Sequence, residues 1–230
     1  MRCILEELLS LDFPVITKRV AQKRPEQIIV LKYAGRPPSF PAAKLPHMHP
    51  DKVFERWLSR KALQTALKDL KQPTQKELWE LGVPPKLGQL PMAALSLSHS
   101  QNVGAAILCM GDETNDKVSV GIDVEWKDRE FSPGVQRRFL NPAEAELLGE
   151  HFVLKAWSIK EAVYKALYGH LFKSSMQAPG ISFLAIKLEQ NHFSYEGQGQ
   201  RITGQWWLEE ISDLSSSRQL FLASALVSSQ

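Results

Sequence analysis

Several things are scarce in this 230-residue sequence, and each scarcity removes a class of function. Only two cysteines occur, Cys3 and Cys109, and neither forms a Cys-x-x-Cys pair. A zinc ribbon or dithiol redox centre therefore has no ligands. Two isolated thiols suit a reducing compartment, each as a small buried hydrophobe. Charge of one sign is not in excess: 28 Lys and Arg against 25 Asp and Glu leave a formal +3, with a pI near 8.8. That mild basicity suits acidic ligands or partners and is too weak to point to nucleic acid. A Walker-type phosphate loop is missing, which argues against a nucleotide triphosphatase. No apolar run approaches the ~20 residues of a membrane-spanning helix. The opening MRCILEELLSLDFP carries Glu6, Glu7 and Asp12 and lacks the unbroken apolar core of a secretory signal. The expectation is a cytoplasmic protein without a membrane partner. There is no internal repeat and no low-complexity tract.

What is present is an ordinary globular balance, 43% hydrophobic and 23% charged. This supports one large domain or two small packed ones. Residues 4 to 11 read as a short amphipathic helix, and Gln27 to Leu31 as a strand. Gly35 to Pro50 is proline-dense and reads as a loop, ending at Asp51, a candidate helix N-cap. DKVFERWLSRKALQTALKDL then spaces Val53, Phe54, Trp57, Leu58, Ala62, Leu63, Ala66, Leu67 and Leu70 as one face of a long helix. A short helix at Thr74 to Leu81 and a loop at Gly82 to Pro91 follow. Ala93 to Leu97 and Val103 to Met110 read as a hairpin around Ser-His-Ser-Gln-Asn, and Gly111 to Asp116 as a turn. Val118 to Trp126 alternates like a strand. Helices are expected near Val135 to Phe139, over Ala143 to Glu150 with Asn141-Pro142 at its start, and over His151 to Leu171. Strands are expected at Ile181 to Leu188, Gly204 to Glu210 and Leu220 to Val227. A boundary near residue 115 gives two similar α/β halves, 1–115 and 116–230.

Three segments carry chemistry. In VSVGIDVEW, strand alternation puts Val118, Val120, Ile122 and Val124 on one face, fit for a core. Ser119, Gly121, Asp123 and Glu125 share the other. Two parallel carboxylates repel unless a cation joins them, and a hard divalent ion such as Mg²⁺ suits oxygen ligands. Gly121 leaves room for a ligand at the backbone. The plain alternative is a solvated edge of a half-exposed sheet. In AWSIKEAVYKAL, Glu161 and Lys165 stand one helical turn apart. They form either a simple i,i+4 pair of roughly 0.2–0.5 kcal/mol or a third carboxylate with a lysine for phosphate. In LSLSHSQN, His99 lies between Ser98 and Ser100 at a strand-to-turn junction. This is either an ordinary hairpin histidine or part of a phosphate-facing surface.

Taken together, Ser98-His99-Ser100, then VGIDVE at Val120 to Glu125, then WSIKEAVYK at Trp157 to Lys165 resemble the three signature motifs of the 4'-phosphopantetheinyl transferase superfamily. Arg138-Phe139 and Glu144 stand where that family has an Arg-Phe pair and a Glu. The resemblance is clear from Met92 to Leu171 and looks like the longer, single-chain type that activates surfactin and enterobactin synthetases.

The resemblance implies an α/β (α+β) fold of two pseudo-symmetric halves with the site in the cleft between them. It implies transfer of the 4'-phosphopantetheine arm of coenzyme A to a serine of an apo acyl or peptidyl carrier protein, with release of 3',5'-ADP. Asp123, Glu125 and Glu161 would hold Mg²⁺. Ser98, His99, Ser100, Lys160 and Lys165 would contact the cofactor. Glu161 would take the serine proton, with Glu144 as the other candidate. Family members usually carry an arginine late in the first long helix for the 3'-phosphate, where Gln64 stands here; Arg56, Arg60, Lys61 or Lys86 would substitute. The first half would serve coenzyme A, the second the metal and carrier. Lys127, Arg129, Arg137 and Arg138 would form either a surface for an acidic carrier or an ordinary solvated loop. A monomer is expected. The competing readings are a degenerate member acting as a coenzyme A-binding or scaffold protein, and another metal-dependent phosphoryl enzyme.

Overall fold

A computed structural model describes residues 16–23, 26–33, 50–71, 93–110, 118–174, 180–197, 199–212 and 218–228. The fold is α+β, with long helices and antiparallel sheets. The chain divides into two compact units, Met1–Glu113 and Thr114–Gln230.

In the first unit, β1 (Ile16–Lys23), β2 (Glu26–Tyr33), β3 (Ala93–Ser100) and β4 (Val103–Met110) form an antiparallel sheet in the order β1-β2-β4-β3. Helix α1 (Pro50–Asp69) packs on β4, β2 and β3. Most of its apolar stripe is buried as its spacing requires: Phe54, Trp57, Leu58, Ala62, Leu63, Ala66 and Leu67 are all at most 1% exposed, whereas Leu70, just past the helix end, is half-buried. Fully burying such side chains contributes about 1.5–3 kcal/mol for each large one. The helix begins at Pro50, so Asp51 lies in its first turn and not at the cap. Proline suits that entry because its fixed φ is already helical and its missing N–H has no partner to lose. The hairpin is also tighter than expected. β3 runs to Ser100, and the turn is Gln101–Asn102 alone, with φ 21° and 62°. Two residues at positive φ match the strand twist, and asparagine tolerates that region.

In the second unit, β5 (Val118–Trp126), β6 (Ile186–Glu189), β7 (His192–Gly197), β8 (Gln200–Ser212) and β9 (Gln219–Ser228) form an antiparallel sheet in the order β5-β9-β8-β7-β6. Between β5 and β6 lie α2 (Pro133–Gln136), α3 (Glu144–Leu148) and the long α4 (Phe152–Ser174), which packs on β5 and β9. The strand expected over Ile181 to Leu188 is a 3₁₀ turn, Phe183–Ala185, followed by the shorter β6. β1 and β7 were not anticipated, because ITKRVAQK and HFSYEG are too polar for a strong two-residue period. The expected elements at 4–11, 74–81, 82–91 and 111–116, and most of the 35–50 loop, lie outside the described residues.

The faces of β5 carry the main correction. The strand alternates as expected, but every one of its nine residues is buried, so it is no half-solvated edge. Val118, Val120, Ile122 and Val124 are buried as expected, and the carboxylate face is buried too. Ser119, Gly121 and Asp123 pair in register with Val227, Ala225 and Ala223, which belong to the core beneath α4. A Cβ on Gly121 would overlap the carbonyl oxygen of Ala162. The room at Gly121 is therefore filled by the backbone of α4 and is not kept for a ligand. This glycine lets a helix lie directly on the strand that bears the acids.

Candidate active site

Close seating of α4 on β5 brings Asp123 to the helix. Lys165 Nζ bonds Asp123 Oδ1 at 2.8 Å and the Ile122 carbonyl at 2.9 Å, and lies 3.9 Å from Glu161 Oε2. The Glu161–Lys165 contact is thus a long one, and the lysine serves the strand carboxylate first. Burial raises the Glu161 pKa above the usual carboxylate range; Lys165 and Arg129 oppose that, and the negative Asp123 adds to it. Glu125 accepts from Arg129 Nη1 and, at 3.1 Å, from the Trp157 indole. The Arg129 guanidinium lies over the rings of Phe131 at 4.6 Å and Trp157 at 5.4 Å.

Three carboxylates on adjoining faces of one strand and one helix are an oxygen donor set suited to a hard divalent cation. The positive charges now facing them are Lys165 and Arg129, which sit where such an ion would compensate the same acids. In this side-chain arrangement no three His, Cys, Asp or Glu groups converge closely enough to grip an ion among the described residues. The donor types are those that suit magnesium.

Two expected site residues go elsewhere. Lys160 is fully buried, with Nζ 2.8 Å from Glu144 Oε1 and 2.7 Å from the Phe139 carbonyl. Glu144 is 2% exposed, and its other oxygen accepts the Asn141 N–H at 3.2 Å. The Asn141 side chain in turn accepts the Ala143 N–H at 3.2 Å, an Asx-type turn just before α3. Burial lowers the Lys160 pKa, and Glu144 works against that. The pair corrects the expectation that Lys160 faces phosphate. It ties α3 to α4, and Glu144 is occupied in holding it.

In the first unit, Ser98 and Ser100 share one face of β3 while His99 takes the other, by the two-residue strand period. His99 Nδ1 lies 3.1 Å from Glu55 Oε2, which also accepts from Lys52 Nζ at 2.7 Å. Arg60 is 7% exposed; burial, and then the like charge of Arg56, bring its pKa down to about 10. Its Nη1 donates to the Arg56 carbonyl at 3.3 Å, and its Nε has no hydrogen-bond partner among the described residues. Lys61 reaches back over the Trp57 ring at 5.6 Å. Lys86 lies outside the described residues.

Of the basic residues expected to form a carrier surface, Lys127 pairs with Glu210 and Gln219, and Arg129 with Glu125. Arg137 and Arg138 are exposed. Glu55 was missed. The sequence did hold a signal for it, since it falls one turn before Ser59 and two before Ala62 on the buried side of α1.

Residues 119–220, which span β5 to the start of β9 and so include Asp123, Glu125, Glu161 and Lys165, match a family model. The family is the 4'-phosphopantetheinyl transferase superfamily. The match supports phosphopantetheinyl transfer in general. No curated protein matches the chain. Among the described residues, no helix is long and apolar enough to cross a membrane.

Proposed function

We propose that the protein transfers the 4'-phosphopantetheine arm of coenzyme A to a serine of an apo acyl or peptidyl carrier protein in a magnesium-dependent reaction that releases 3',5'-ADP. The observation that carries this reading is the Asp123–Lys165–Glu161 cluster with Glu125, inside the segment that matches the superfamily. The bond broken is the pyrophosphate P–O bond to the nucleotide, and the bond formed is from the same phosphorus to the serine oxygen. When bound, magnesium would supply positive charge against the pyrophosphate oxygens and the departing nucleotide phosphate. Asp123, Glu125 and Glu161 would hold it.

The serine hydroxyl must lose its proton, and Glu161 is the group suited to accept it. Its raised pKa makes it a stronger base than an ordinary carboxylate. Glu144 is the weaker candidate because Lys160 and the Asn141 amide already engage it. Lys165 would hold phosphate oxygens as a point charge, and His99 would meet the pyrophosphate. For the 3'-phosphate, Arg60 is the strongest candidate, because a buried guanidinium with an unsatisfied N–H favours an anion. We assign residues 1–115 to coenzyme A and 116–230 to metal and carrier, in a cytoplasmic monomer of the long single-chain type.

The test is mass spectrometry of apo carrier proteins incubated with the protein, coenzyme A and magnesium. One phosphopantetheine arm should be gained, and chelation or Asp123→Ala should abolish the gain while the circular dichroism spectrum is kept. Undiminished transfer by the Asp123 variant overturns the metal assignment.

A further inference from the structure

We propose that Glu55 is the positioning residue for His99. It holds the imidazole through Nδ1 so that the opposite ring nitrogen, Nε2, is the one presented to ligand. This builds on the reading that His99 meets the pyrophosphate.

The geometry starts from a glycine. His99 pairs in register with Gly104 across the β3–β4 hairpin. A Cβ on Gly104 would overlap the α1 backbone at Leu58 and Ser59. The missing side chain therefore lets α1 lie directly on the sheet beside His99. Glu55 stands one helical turn before Ser59, on the side of α1 that faces the sheet, and this brings its carboxylate to the histidine.

Glu55 is 4% exposed, so its charge has almost no water to solvate it. Burial would raise its pKa, but the hydrogen bonds from His99 and Lys52 outweigh burial and hold it below the usual carboxylate value. A carboxylate only accepts, so His99 must carry its proton on Nδ1. The imidazole is left with one nitrogen for any other purpose, and about a third of its side chain is exposed. A histidine on an exposed hairpin rotates and changes tautomer freely. One clamped by a buried carboxylate does neither, and the clamp resembles the outer partner that orients a metal-bound or catalytic histidine. Lys52 is 60% exposed and shares the same oxygen, so it adds charge but no ring orientation.

The direct measurement is the ¹⁵N chemical shift pair of the His99 ring in the wild-type protein. A proton fixed on Nδ1 in the neutral ring is the expected result. A neutral ring carrying its proton on Nε2 overturns the proposal without any variant. Glu55→Gln keeps an acceptor and should keep the Nδ1 proton. Glu55→Leu removes the acceptor and should release the ring to the tautomer mixture of a free histidine, weakening coenzyme A binding about tenfold by calorimetry. Glu55→Leu with a wild-type ring signature overturns the proposal. A released ring with unchanged coenzyme A affinity upholds the positioning and instead removes His99 from the pyrophosphate.

Discussion

Two long helices, one in each unit, carry a carboxylate to the strand beneath, and the two carboxylates are perturbed in opposite directions. Glu55 on α1 is held below the ordinary range, because His99 and Lys52 donate to it and outweigh its burial. Glu161 on α4 is pushed above that range, because burial is the larger effect and its nearest cation, Lys165, lies closer to Asp123. Both helices sit on their strands through a glycine, Gly104 and Gly121, whose Cβ would overlap helix backbone. The same packing thus gives one acid whose charge is matched locally and one acid that shares a cation with another acid. The second arrangement is the one to which the proposed function assigns the metal and the serine proton.

A third acid sets the upper end of this comparison. Glu144 is buried, with one oxygen paired to Lys160 and the other accepting the Asn141 N–H. Lys160→Met should strand its charge and cost about 3–5 kcal/mol in urea unfolding, whereas Lys160→Met with Glu144→Leu should recover most of that. Equal losses in the single and double variants would show that the pair is not what ties α3 to α4.

The glycine seams come next. Gly121→Ala and Gly104→Ala should each force a helix off its strand, at about 1–3 kcal/mol or more in the same assay. A neutral Gly104→Ala would mean that α1 can slide where α4 cannot, and the likeness of the two seams would fail.

The opposite pKa shifts give a smaller and more diagnostic effect. A depressed folded pKa adds stability above the unfolded value and loses it as pH falls through the folded one; this is the case of Glu55. A raised folded pKa favours folding below the unfolded value and loses that advantage as pH rises through the folded one; this is the case of Glu161. Glu55→Gln should therefore destabilise at neutral pH, and Glu161→Gln should stabilise there. Both differences should shrink in acid as the wild-type carboxylates protonate. Denaturant unfolding at a series of pH values reads this directly, and shifts of the same sign would remove the contrast between the two helices. The smallest effect is expected at the exposed pair of Lys187 and Glu196, 4.0 Å apart, where Glu196→Ala should change stability by about 0.5 kcal/mol or less.

Periodicity made much of this legible. The α1 stripe, the hairpin and the i,i+2 placement of Asp123 and Glu125 on one face of β5 follow from spacings of 3.6 and 2.0 residues. These are properties of a local backbone and need no knowledge of what packs above it. The carboxylate triad with Lys165 is instead an expectation of the family resemblance, carried by the types and order of the residues in its motifs. The valine-rich face of β5 is buried as its pattern suggests; the burial of the carboxylate face was not legible, because it depends on how closely α4 lies on the strand.

The sequence by itself determined which residues share a strand face or a helix stripe, because those relations are set by backbone geometry over a few positions. Tertiary structure decided what each charge meets. Glu55 and His99 are 44 positions apart, Lys165 and Asp123 are 42 apart, and Lys160 joins a carbonyl 21 positions away. Over such separations a side chain's partner depends on how closely a helix can approach a sheet. In this protein that approach is set by two positions where the absence of a Cβ lets backbone lie on backbone.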